Sequence, residues 1–182
     1  EAIERLSAGR LPPRAACITF DDGYADNAEV ALPILARHCF HATFFIATGF
    51  LDGGRMWNDT IIEAVRRAHG SVLDLREIGL GCLPIDSARA RRAAIDAIIK
   101  QTKYLPPQVR DERVAAIARI GGAELPDDLM MTSAQVRELD RAGMEVGGHT
   151  QTHPILARLD PAAARAEIAN GRATLESLLG KK

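Results

Sequence analysis

Residues 15–23 read Ala-Ala-Cys-Ile-Thr-Phe-Asp-Asp-Gly, an apolar run that breaks off into two carboxylates and a glycine. The first six predict a short buried strand, bounded upstream by Pro12-Pro13. Gly23 can take backbone angles closed to other residues, so the chain can turn sharply there and leave Asp21 and Asp22 exposed at the strand end. Outward from this point, Asp26 and Glu29 have the form of a capping box, predicting a helix to His38. Pro33 restricts regular helix to its later turns. Residues 42–47, A-T-F-F-I-A, predict a second buried strand closed by Gly49. Strand, helix and strand at this spacing imply a βαβ unit and a parallel sheet.

Further along, Thr60 with Glu63 predicts a helix to His69, stopped by Gly70, and residues 71–85 read as a hairpin around Gly79 and Gly81. Helices are expected over 87–104 and 108–120, parted by Pro106-Pro107. We read about 71–130 as a mostly helical insertion. The βα rhythm then resumes. Thr132 and Gln135 form a capping box for a helix that stops at Gly143, and residues 144–148 make a strand that delivers His149. Asp160-Pro161 starts a last helix, with Gly180 as its stop. Another strand is expected after that helix, and the chain starts without methionine; it reads as cut at both ends.

With 182 residues, 47% of them apolar and 26% charged, the composition is that of one globular domain. A net charge of −1 leaves no cationic excess to neutralise phosphates, which argues against a nucleic-acid partner. Cys17, Cys39 and Cys82 are odd in number and widely spaced, predicting small buried apolar residues and not disulfides or a zinc knot. No apolar run reaches membrane-spanning length and no signal-peptide pattern opens the chain. The compartment stays open between the cytoplasm, to which free cysteines point, and the cell envelope.

The chemistry sits in two clusters, Asp21-Asp22 and the Gly-His-Thr-Gln-Thr-His-Pro of residues 148–154. Parallel α/β folds place reacting groups at the carboxyl ends of strands, so the two clusters can converge. Alternation along a strand lets neighbouring aspartates serve different partners, one a metal and one a water. His149 and His153 have metal-ligand spacing, while Pro154 predicts a loop or single turn at His153. Two imidazoles and a carboxylate with open positions suit zinc or a neighbouring first-row ion. Read alone, Asp-Asp-Gly is more often a turn, and His-x-x-x-His is as readily a coincidence as a ligand pair; their joint occurrence after strands favours a metal site. His38, His41 and His69 sit near helix ends, where the macrodipole attracts an imidazole. Trp57 is a weak candidate for stacking on a sugar, against an equal reading as an apolar anchor.

I-T-F-D-D-G-Y, A-T-F-F-I-A-T-G and E-V-G-G-H-T-Q-T-H-P together resemble the polysaccharide deacetylase family, with its NodB homology domain, over residues 15 to about 156. The resemblance implies an α/β fold, a partial distorted (β/α) barrel of NodB type carrying the helical insertion. It implies metal-dependent removal of acetyl groups from a carbohydrate such as an N-acetylglucosamine-type polymer or oligosaccharide. It makes Asp21 the catalytic base and Asp22, His149 and His153 the ligands of a divalent metal, zinc first, with cobalt, nickel or manganese as alternatives. The family's later motifs, an Arg-x-Pro segment, an Asp/Trp segment and a Leu-x-His, have no counterpart after Pro154. These 182 residues alone are therefore expected to bind metal weakly and to turn over poorly. Two rivals remain: a non-catalytic metal- or carbohydrate-binding relative, and a metal-dependent sugar isomerase, which would want more carboxylate ligands.

Overall fold

The computed structural model describes residues 2–181. The chain opens with helix α1 (Ala2–Ser7), strand β1 (Thr19–Phe20), helix α2 (Leu32–Arg37) and strand β2 (Thr43–Ile46). A middle stretch holds α3 (Trp57–Arg67), the strands β3 (Val72–Leu75) and β4 (Gly81–Pro84), and the helices α4 (Ala88–Thr102) and α5 (Pro107–Gly121). Last come α6 (Ser133–Arg141), β5 (Glu145–Gly148) and α7 (Pro161–Leu179). Two compact units result: the chain up to Gly54 joined by the chain from Asp128 onward, and Arg55–Asp127.

In the first unit β1, β2 and β5 form a parallel sheet with β2 at its centre. The class is α/β, and the sheet is the open arc of a partial barrel. Ile46, Phe44, Val136, Leu139 and Met131 are almost fully buried, and Leu32, Leu35 and Leu175 bring α2 and α7 to the same core. Phe20 and Phe44 are register partners, with stacked rings 4.8 Å apart. Because all three strands run the same way, their carboxyl ends, at Phe20, Ile46 and Gly148, share one edge of the sheet.

In the second unit β3 and β4 form the expected antiparallel hairpin, turned through Gly79 and Gly81 at φ +75° and +74°. Ile61, Val65, Leu75, Ile85, Ile98 and Ile117 form its core. Arg91 reaches the carbonyls of Val65, Arg66 and Ala68, satisfying acceptors that the end of α3 leaves open.

Several local expectations are corrected. Only Thr19 and Phe20 of the stretch 15–20 join the sheet, and residues 15–19 are exposed, because β1 has one strand partner and the chain before it leaves the ladder. Cys17, Cys39 and Cys82 are exposed, each on or beside a loop or edge and not in either core. Asp26 makes no capping bond; residues 27–31 form a π-turn, and regular helix starts at Leu32 with Pro33 in its first turn. Thr60 does not cap α3. The helix already starts at Trp57, the Thr60 hydroxyl donates to the Met56 carbonyl, and Glu63 is taken by Arg66 and Arg67. The capping box at Thr132–Gln135 and the helix start at Asp160-Pro161 form as expected.

Candidate metal centre

Asp21 and Asp22 lie just past the end of β1, so strand alternation does not separate them. A tight turn does. The Gly23 N–H donates to the Asp21 carbonyl at 2.9 Å across Asp22, whose φ of +75° is that of the left-handed region. This is a γ-turn centred on Asp22, a strained form. Two backbone bonds hold it: the Ala47 N–H donates to the Asp22 carbonyl at 3.1 Å, and the Met131 N–H to the Gly23 carbonyl at 2.9 Å. The Asp22 side chain turns inward to 25% exposure, whereas Asp21 is exposed.

The second cluster continues the ladder between β2 and β5. The His149 N–H donates to the Ile46 carbonyl at 2.9 Å, Thr48 to Thr150 at 3.3 Å and Gly49 to Gln151 at 2.8 Å. As Pro154 implied, the segment is a loop and not a helix. Thr150 and His153 both have positive φ, +66° and +53°, and the Thr150 hydroxyl accepts from the His153 N–H at 3.1 Å. Such a backbone lets two imidazoles four residues apart face the same point.

They meet Asp22 there. Asp22 Oδ1 stands 3.4 Å from His149 Nε2 and 3.3 Å from His153 Nε2, and the two ring nitrogens are 3.2 Å apart. Three ligand atoms of a tetrahedral ion with bonds of about 2.0–2.1 Å stand about 3.3 Å apart. The donor set and its spacing therefore fit a divalent cation, which would satisfy all three acceptors at once. Among the described residues these three form the one cluster of His, Cys, Asp or Glu with spacing for an ion. Burial pushes the His153 pKa below the usual imidazole value; His149 lowers it further, while the charges of Asp22 and Asp21 oppose the shift. A neutral imidazole is the form that can donate a lone pair to a metal.

The remaining sequence candidates fall elsewhere. Trp57 is the first residue of α3 in the second unit, packed on that unit's core with the Arg110 guanidinium 5.4 Å from its ring centre. His38 ends α2, and His41 Nδ1 lies 3.3 Å from the Gly143 carbonyl. His69 is exposed beyond α3.

Sequence reasoning missed the residues around the loop. Glu167 on α7 accepts from the N–H groups of Gln151 and Thr152 and from the Thr152 hydroxyl, and Asn170 donates to the Gln151 side chain. A Cβ on Gly49 would stand 2.7 Å from the Gln151 carbonyl oxygen, and one on Gly171 would stand 2.8 Å from the Thr150 backbone. A glycine inside a long helix was the one available signal, since helix interiors disfavour it unless something packs against it.

A family profile described as polysaccharide deacetylase matches residues 8–71 and 94–182. No curated protein matches the sequence significantly. Among solved structures, the chain is similar to the Streptococcus pyogenes deacetylase PplD in complex with acetate, at 20% identity and a TM-score of 0.52, covering 99% of this chain and 48% of that one. It is also similar to the deacetylase domain of BpsB from Bordetella bronchiseptica, at 18% identity and a TM-score of 0.49, covering 98% and 57%. The likeness to PplD is one of fold. The chain spans about half the length of these structures.

Proposed function

The chain belongs to the polysaccharide deacetylase family, and on that premise we propose that it carries the metal site of a hydrolase that removes acetyl groups from a carbohydrate, an N-acetylglucosamine-type polymer or oligosaccharide. The observation that carries the reading is the triangle of Asp22, His149 and His153, with edges of 3.2–3.4 Å. In this reading the three side chains hold a divalent ion, zinc first, with cobalt, nickel or manganese as alternatives. When bound, such an ion lowers the pKa of a water and polarises a carbonyl.

The chain's own residues supply the rest. Asp22 is fixed at the turn with its carboxylate inward, while exposed Asp21 beside it stays outside the triangle. Asp21 then takes the proton as water adds to the acetyl carbonyl. The bond from carbonyl to sugar nitrogen breaks as the nitrogen takes up a proton from solvent, and acetate and a free amine leave. No Leu-x-His follows Pro154 to protonate the departing amine, and a missing acid costs on the order of 10²–10⁴ in rate. Slow turnover by these 182 residues alone is part of the proposal.

Acetate release from an acetylated chitooligosaccharide, measured with added zinc, tests the reading. We expect slow release, lost in Asp21→Asn with zinc binding retained. Rapid release, or release unaffected by that substitution, would count against it. Aldose–ketose interconversion without acetate would point to the isomerase class instead.

A further inference from the structure

The loop carrying both imidazoles is strained at two non-glycine residues. Thr150, at φ +66°, is β-branched, the kind of side chain least tolerant of that region, and His153 follows at φ +53°. Strained backbone persists only where its surroundings over-determine it. Here the surroundings are the Thr48 and Gly49 N–H groups, which bond the Thr150 and Gln151 carbonyls, and one face of α7. Glu167 Oε2 accepts from the Gln151 N–H at 3.0 Å and from the Thr152 N–H at 2.8 Å, and Oε1 accepts from the Thr152 hydroxyl at 2.7 Å. One turn later, Gly171 lets the helix touch the Thr150 backbone. One carboxylate thus closes three donors on the two residues at the middle of the loop, between the imidazoles.

We propose that Glu167 is a positioning residue: through residues 151 and 152 it holds His149 and His153 at the separation a metal requires, with Gly171 as its steric counterpart. The inference rests on the Asp22–His149–His153 reading. Loss of a group that orients metal ligands weakens metal binding about 10–100-fold. Glutamine has nearly the same shape but presents an NH2 where the loop needs an acceptor. In Thr152→Val the hydroxyl bond is lost at constant size, and in Thr152→Ser it is kept.

The experiment is zinc titration of the chain by calorimetry, with the visible spectrum of the cobalt(II)-loaded protein as a second readout, since its bands follow ligand geometry. Glu167→Gln is expected to bind zinc about 10–100-fold more weakly with an altered cobalt spectrum. Thr152→Val and Gly171→Ala should shift in the same direction, and Thr152→Ser should behave as the parent chain. These comparisons use variants whose metal-free melting shows a folded protein; Thr152→Val and Thr152→Ser serve should Glu167→Gln not fold. No zinc uptake by the parent chain, or uptake unchanged in Asp22→Asn, overturns the metal-site reading and this one with it. Uptake that is lost in Asp22→Asn but unchanged, with an unchanged cobalt spectrum, in Glu167→Gln and Thr152→Val overturns the positioning role alone.

Discussion

Asp22 occupies the centre of a γ-turn at φ +75°, a conformation glycine enters freely and aspartate does not. Strain of this kind is worth on the order of 1–3 kcal/mol. The metal-free chain is therefore expected to gain about 1 kcal/mol in Asp22→Gly, while zinc binding is lost. Urea unfolding without metal checks the first half; a variant less stable than the parent would remove strain from the account. Asp22→Asn keeps the side-chain shape and should lose zinc binding with little change in stability. His153 adds a pH dependence. Burial holds its pKa in the folded chain below the usual imidazole value, so on acidification the unfolded chain takes up a proton first. Its contribution is fully present above the unfolded value of about 6.5 and is lost as pH falls through the folded value. The unfolding midpoint of the metal-free protein should thus drop below about pH 6.5, and His153→Gln should flatten that drop. A His153→Gln variant with the same pH slope as the parent would show that another group is responsible.

The elements that carry the site depend on a few junctions. Asp160 accepts from the Ala162 and Ala163 N–H groups, and Pro161 follows at the first helical position. Asp160→Ala should cost about 1 kcal/mol through α7, read as a lower melting temperature. Gly147 lies opposite Phe45 in the sheet, and a Cβ there would meet the ring at 2.8 Å. Gly147→Val should cost about 1–3 kcal/mol, and Gly147→Ala less, since the displaced ring must find a new rotamer. These junctions also show how far local sequence could be read. The box at Thr132 and the cap at Asp160 were legible because their partners lie within one turn. The one expected at Thr60 failed because Glu63 has two arginines in reach on its own helix. The contacts of Glu167 and Gly171 were hard to read for the opposite reason: their partners lie on a different element, and only a glycine inside a long helix hints that something packs there.

At the scale of the molecule, three parallel strands bring Asp22 and His149 to one edge, although more than half the chain separates them. That convergence was legible from two features, strands ending in polar clusters and a βα rhythm that implies a parallel sheet. The backbone forms at Asp22, Thr150 and His153 were not, because they are imposed by bonds from Ala47, Met131, Thr48 and α7. The site is thus built by the fold and not by either motif alone, which sets a thermodynamic expectation. A cation gathered by side chains that only the folded chain brings together binds the native state and not the unfolded one. Zinc at 100 times its dissociation constant should then stabilise the protein by about 2.7 kcal/mol, seen as a concentration-dependent rise in melting temperature. A chelator should reverse the rise, and Asp22→Asn should abolish it while melting near the parent's metal-free temperature. If zinc raises the melting temperature of Asp22→Asn as much as that of the parent, the cation is binding elsewhere, and the triangle of Asp22, His149 and His153 is not what holds it.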